Sequence, residues 1–131
     1  MSAPTEELRN SAIAYRTAIL AFGEIRLERE LAKRDLKEVE SIIFAEKVKL
    51  GTIDGKNAET RDAQAALAFK ANMEWQAAFD RFVKAEATFM SAQDNVTISL
   101  MELKVAATLV NVQIAETGAI RLLSEVSLAG A

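Results

Sequence analysis

Apolar residues recur along the first third of the chain with a seven-residue spacing, from Leu8 to Leu50. This spacing puts them on one face of an α-helix, in the a and d positions typical of a coiled coil. Thr5 can cap the start of the helix and Gly51 suits its carboxyl-terminal end. The pattern predicts a first helix over about residues 5–50. Its a positions are Leu8, Tyr15, Phe22, Arg29, Leu36, Ile43 and Leu50.

A second repeat of the same period runs from Trp75 to Val110, with alanine or serine at its d positions. Large a residues beside small d residues let a neighbouring backbone approach closely, which favours antiparallel packing. Asn72 is a suitable amino-terminal cap and Thr117–Gly118 a suitable end, so a long helix is predicted over about residues 72–117. The two repeats together predict an all-α fold, a long antiparallel helical hairpin (coiled coil) in a single helical domain.

The connection between the repeats contains GTIDGKNAET, which groups glycines, a lysine and a hydroxyl as phosphate-binding loops do. A Walker-type loop needs G-x-x-x-x-G-K-S/T between a strand and a helix. Here the two glycines are one residue too close, Asn57 stands where the hydroxyl is required, and a helix precedes the loop. We therefore interpret residues 51–57 as a connecting loop, in which Asp54-Gly55 makes a turn and Asn57 caps the next segment.

Residues 58–70 have a helical composition and admit two arrangements. They form a short separate helix that packs across the hairpin end and stops at Ala71-Asn72, or they continue directly into the second long helix. Asn72 is only a weak helix breaker, but it is a suitable cap, and we favour the separate, short connecting helix.

Arg29 is the one charged residue at an a position of the first repeat. Pairing Leu50 with Asn72 in an antiparallel hairpin brings Arg29 close to Gln93 or Asp94. We hypothesise that Arg29 and Asp94 form an ion pair that sets the register of the seam, as buried polar groups do in coiled coils.

Composition narrows the possible chemistry of this 131-residue chain, which has no cysteine and no histidine. The common ligands of zinc, haem and iron–sulfur clusters and the usual general base are therefore missing. Without histidine, only Glu46, Glu86 or Glu102 could contribute to a carboxylate metal site in a helical bundle. We expect a non-enzymatic protein with no catalytic residues, no metal and no cofactor.

The charge and hydropathy of the chain also bear on its location. The formal net charge of −3 indicates no strong attraction to nucleic acid. The first turn carries Glu6 and Glu7 instead of the basic residues of a signal peptide. We expect a cytoplasmic protein without membrane contact. The most apolar window, Val96–Ala115, holds too many polar groups for a membrane span: Glu102, Lys104, Asn111 and Gln113.

Both long helices carry apolar residues outside their seam at the hairpin end opposite the loop. Two helices alone cannot bury such surface. The apolar helical tail, residues 119–128, folds back over it or pairs with another copy. We predict self-association through this end, most simply a dimer that forms a four-helix bundle. The residues are Ile13, Ile19, Leu20, Leu109, Val112, Ile114, Leu122 and Leu123.

The segment LGTIDGKNAETRDAQ, followed after a short helix by MEWQAAF, resembles small coiled-coil bacteriophage proteins of unknown function. Such proteins are often encoded near phage recombination and replication genes. The resemblance covers about Glu24–Ala92 and is sharpest over Gly55–Gln64. It departs from the pattern at Ala71-Asn72-Met73, where an acidic or proline-containing break is expected. It implies a phage setting close to DNA metabolism and brings no catalytic residues with it.

Several functions stay open. The first is a scaffold that serves phage DNA recombination or replication by contacting another phage or host protein. The second is an inhibitor of a host defence or nucleic-acid enzyme. The third, single-stranded DNA binding, asks for exposed aromatics among basic residues, whereas the aromatics here fall on seam positions, so we do not favour it. The predicted partner contact is the exposed face near Lys56, Arg61 and Lys70.

Overall fold

The computed structural model describes the backbone of residues 3–129 and the side chains of residues 3–118, 121 and 123. The described chain is all-α and consists of α1 (Pro4–Lys49), α2 (Ala58–Lys70) and α3 (Met73–Ala129). The predicted fold class is confirmed, since α3 packs against α1 as a helical hairpin requires. Residues 58–70 form a separate helix, as favoured.

The chain divides into two compact units. The central unit is Gly23–Ser91, and the terminal unit consists of the chain before Gly23 and after Ser91. Within each unit, a segment of α1 packs against an antiparallel segment of α3. The central unit also contains the connecting loop and α2.

Helix α1 begins one residue before the predicted start. The amides of Glu6 and Glu7 donate to the carbonyl oxygen of Ala3, at 2.9 and 3.0 Å. Pro4 occupies the first helical position, where its missing N–H leaves no hydrogen bond unmade and its fixed φ suits the helix. Thr5 therefore lies inside the helix, and the prediction that it caps α1 was wrong.

The carboxyl-terminal end of α1 is closed by Gly51, as predicted. Gly51 has a φ of +78°, the left-handed conformation that glycine adopts without a steric penalty. Its N–H donates to Val48 at 3.1 Å, and the N–H of Thr52 donates to Lys47 at 2.9 Å. This pair of bonds is a Schellman motif, which satisfies the last carbonyl groups of the helix.

Asparagine side chains cap the other two helices. The Oδ1 of Asn57 accepts from the N–H of Thr60 at 2.8 Å, and the Oδ1 of Asn72 accepts from the N–H of Trp75 at 3.0 Å. Each bond satisfies an amide that has no partner inside its own helix. Both asparagines therefore act as the predicted caps.

Helix α3 does not end at Thr117–Gly118 as expected, but continues to Ala129. A single glycine inside a helix costs only about 1 kcal/mol relative to alanine. No proline follows Gly118 to force a break. Residues 119–129 are therefore a continuation of α3.

The seam follows the predicted heptads. The a and d positions are buried or half-buried from Leu8 to Ile43 in α1 and from Trp75 to Val110 in α3. The buried seam of α1 ends at Ile43. The next two seam positions are exposed: Glu46, and Leu50 at 66%.

The last turns of α1 pack instead beside the loop and α2. Ile53 is only 4% exposed, and its N–H donates to the carbonyl of Lys47 at 3.2 Å. Ala65 of α2 is 5% exposed. The start of α3 therefore pairs with an earlier part of α1, where the indole Nε1 of Trp75 donates to Glu40 at 3.1 Å.

Candidate interaction surfaces

The terminal unit exposes large apolar side chains on both of its helices. On α1, Ile13 and Leu20 are 58% and 62% exposed, and similar residues follow on α3. Exposed apolar surface of this kind marks a candidate interaction site. The side chain of Leu122 lies outside the described residues. The other predicted self-association residues are all exposed: Ile13, Ile19, Leu20, Leu109, Val112, Ile114 and Leu123.

Sequence reasoning missed three exposed apolar residues of this unit, Ile98, Met101 and Val105. With Leu109 and Val112 they form one row along α3, which we call the α3 stripe. Its members recur every three or four residues, the spacing of one helix face. The spacing shows that they share one face beside the seam, but only the position of α1 decides whether that face is covered.

Four residues of the α3 stripe, Ile98, Met101, Val105 and Leu109, form one wall of a groove in the terminal unit, which has a volume of about 590 Å³. The opposite wall comes from α1 and carries Glu7, Asn10 and Ser11. The buried Ala106 lies between the walls, and Glu102 adds a second carboxylate to the groove. The groove therefore combines an apolar α3 wall with a short-chained, partly acidic α1 wall.

The tail does not cover this surface in the described part of the chain. Among the side chains that the structure describes, Val110 is the last buried residue of α3, and residues 111–118 are all exposed. The helix continues without a turn to Ala129. Of the two arrangements expected for the tail, the folded-back one is therefore excluded for the described backbone.

The central unit is joined by ionic contacts between its long helices. The guanidinium of Arg29 donates from Nε and Nη2 to the two carboxylate oxygens of Glu86. It also lies 4.6 Å from the centroid of the Phe89 ring, a cation–π distance. The hydrogen bond to Glu86 raises the pKa of Arg29. Arg29 thus bonds across the helices, but the prediction of Asp94 as its partner was wrong.

A second arginine, Arg81 of α3, bridges two carboxylates of α1. Arg81 donates to Asp35 at 2.7 Å and to Glu28 at 2.9 Å. The hydrogen bonds to Glu28 and Asp35 raise the pKa of Arg81. All three side chains are exposed enough for water to weaken the attraction, so we interpret this group as a solvated structural contact.

The loop that resembled a phosphate site is closed by its own hydrogen bonds. The amides of Asp54 and Gly55 both donate to Oε1 of Gln64, at 3.0 and 2.9 Å. The side-chain amide of Gln64 donates back to Asp54 at 2.8 Å. A phosphate cradle needs such backbone amides free to point at the ligand. The observed geometry is that of a connection between α1 and α2.

The basic residues proposed for partner contact are exposed but separated. Lys56 lies in the loop, Arg61 in the first turn of α2, and Lys70 at its last residue. Arg61 and Lys70 are about 14 Å apart along the axis, at 1.5 Å per residue. Lys70 therefore lies away from Arg61, at the other end of α2.

Helix α3 also contains a stretch that is long and apolar enough to cross a membrane. Within Met73–Gly118, one window has a mean hydropathy of 1.4 and is 11% buried. By length and composition this helix could cross a bilayer, but one such helix is a weak indication, since core helices of soluble proteins meet the same criterion. The absence of membrane contact and the cytoplasmic location stay predictions.

Metal chemistry finds no support in the part of the chain that the structure describes. Within it, no three or more acidic side chains come together to hold an ion. No family model, curated protein or solved structure matches the chain. The resemblance to phage proteins is therefore unsupported by these comparisons and stays a prediction.

Proposed function

We propose that this chain is a non-enzymatic helical interaction protein that self-associates through its terminal unit. The supporting observation is the apolar surface on α1 and α3, which the chain leaves exposed where its own tail could have covered it. Two long helices that each expose an apolar face bury it most simply in a bundle with further helices.

The two units differ in the surface that they offer. The central unit carries arginine–carboxylate contacts along α1 and α3, which suit a solvated helical pair. In the terminal unit, Arg16 is the only charged residue between Asn10 and Gly23. Assembly through the terminal unit leaves the charged central unit, with its loop and α2, free to contact another protein.

The biological setting comes from the resemblance alone. In a phage, an assembled scaffold of this kind would serve DNA recombination or replication by binding another phage or host protein. The alternative is an inhibitor that binds a host defence or nucleic-acid enzyme. Both use protein–protein contacts and need no chemistry from the chain.

Direct binding of single-stranded DNA has less support. Six of the eight aromatic side chains are half-buried, and the other two, Phe44 and Phe79, are only 37% and 39% exposed. Base stacking needs an open ring face beside basic residues. The ring of Trp75 instead stacks on Phe79, with centroids 4.8 Å apart.

The test is light scattering on a size-exclusion column, at low and high salt, with and without single-stranded DNA. We expect a dimer or larger species that persists at high salt, because burial of apolar surface is not screened by ions. A monomer in dilute solution would contradict self-association. Salt-sensitive co-elution with DNA would instead favour nucleic-acid binding.

A further inference from the structure

The five residues of the α3 stripe are spaced symmetrically about Val105. Its five residues are separated by three, four, four and three positions, so the spacing is the same in both directions from Val105. An antiparallel copy of the same helix would therefore oppose Ile98 to Val112, Met101 to Leu109 and Val105 to itself. A two-fold interface between identical chains needs this self-complementarity.

We propose that a second copy of this chain occupies the groove of the terminal unit, with the two α3 stripes antiparallel about a two-fold axis at Val105. This inference rests on the proposed function and specifies its interface. The partner's α3 stripe lies in each groove, so each chain supplies both a groove and the helix that fills the other.

The exposure of the α3 stripe is consistent with a second copy of the chain in the groove. Its side chains are 47% to 62% exposed along the row, so no described part of the chain covers them. The row from Ile98 to Val112 is about 21 Å long, at 1.5 Å per residue. The wall opposite carries the short side chains Asn10 and Ser11 beside Glu7, and the groove between the walls has a volume of about 590 Å³.

Charges mark both ends of the stripe at the same distance from its centre. Asp94 lies four residues before Ile98 and Glu116 four residues after Val112, and both are exposed. In the antiparallel pair each Asp94 lies opposite the partner's Glu116, at the exposed ends of the contact, where ions in solution screen the repulsion between the two carboxylates. A different protein would need only an apolar row, whereas a second copy needs a row that matches its own reverse.

Opposite charges at the two-fold axis test this arrangement. Val105→Glu and Val105→Lys each place two like charges against one another in the dimer, and we expect each to weaken the dimer at least 100-fold. Because Val105 is 61% exposed, neither change should lower the helix content, which circular dichroism checks. Mixing the two variants should restore a dimer of one chain of each kind. Leu67→Glu, at a 71% exposed residue of α2, is the matched control and should leave the dimer intact.

The direction of the helices can be measured separately. The chain has no cysteine, so Val105→Cys or Val112→Cys introduces one labelling site for distance measurements between spin labels. In the antiparallel arrangement the labels at position 105 lie side by side, whereas those at 112 are displaced by about 21 Å along the axis. A parallel pair would bring both sets of labels close together.

The outcomes separate this inference from the proposed function. A wild-type dimer that both Val105 variants leave intact, or a mixture that does not re-form a dimer, overturns the antiparallel α3 interface and leaves self-association standing. A wild-type monomer overturns both. A monomer that binds phosphatidylcholine vesicles and loses this binding with Val105→Glu identifies a lipid surface as the occupant, which also overturns the inference.

Discussion

Arg29 of α1 bonds through two of its nitrogens to both carboxylate oxygens of Glu86 on α3. Arg29 was predicted to lie close to Gln93 or Asp94, which follow Glu86 by seven and eight positions. The two helices of the central unit are therefore shifted by one heptad from the predicted register. The same helix faces still meet, because a shift of one heptad returns each helix to the same face.

Charge reversal tests this register. Arg29→Glu places a carboxylate against Glu86 and removes the cation from Phe89, so we expect a lower melting temperature. Adding Glu86→Arg should recover part of the loss, because the pair is re-formed in reverse. Adding Asp94→Arg should recover none. Recovery with Asp94→Arg but not with Glu86→Arg, in thermal unfolding followed by circular dichroism, would support the other register.

Two glycines of the chain should respond to alanine in opposite ways. Gly51→Ala forces a side chain into a left-handed conformation and should lower the free energy of unfolding by about 1–2 kcal/mol. Gly23→Ala lies inside α1, where an added Cβ meets nothing within 4 Å, and should raise it by about 0.5–1 kcal/mol. Urea unfolding of both variants measures the two effects. Equal effects of the two substitutions would argue against the observed end of α1.

Ile53 tests whether the loop contributes to the core. It is 4% exposed, and Ile53→Ala should lower the free energy of unfolding by about 2–5 kcal/mol through lost burial and the cavity left behind. The control is Ile42→Ala, since Ile42 is 61% exposed on α1 and its loss should change little. If chemical denaturation gives similar values for the two variants, the loop does not pack as described.

Asn72 tests the separation of α2 from α3. Asn72→Ala removes the side-chain acceptor for the Trp75 amide and should cost about 1 kcal/mol of stability. Asn95→Ala, at an exposed position inside α3, should be neutral or slightly stabilising, because alanine favours the helix. A neutral Asn72→Ala in the same unfolding experiment would indicate that α2 continues into α3.

Much of the local structure was predictable because it depends on neighbouring residues. The heptads correctly placed the buried faces of α1 and α3. Gly51 ends α1, and Asn57 and Asn72 cap the starts of α2 and α3, as predicted. The predicted end of α3 at Gly118 was wrong, because a glycine suits a helix end but is also tolerated inside a long helix.

The candidate interaction surface was only partly predictable. Leu109 and Val112 stood out because they lie outside the seam in a stretch with few charges. Ile98, Met101 and Val105 did not, because an apolar residue beside a seam can be covered by the neighbouring helix or left exposed. Only the position of α1 shows that these side chains stay uncovered.

The sequence by itself determined the all-α class, the inward faces of the long helices and most of their caps, since each follows from residues within a few turns of one another. The tertiary structure decided the register and the uncovered surface. A heptad repeat is unchanged by a shift of seven residues, so the pattern cannot choose among registers. That choice depends on non-local packing of Ile53 and α2 beside the end of α1, and of Arg29 against Glu86.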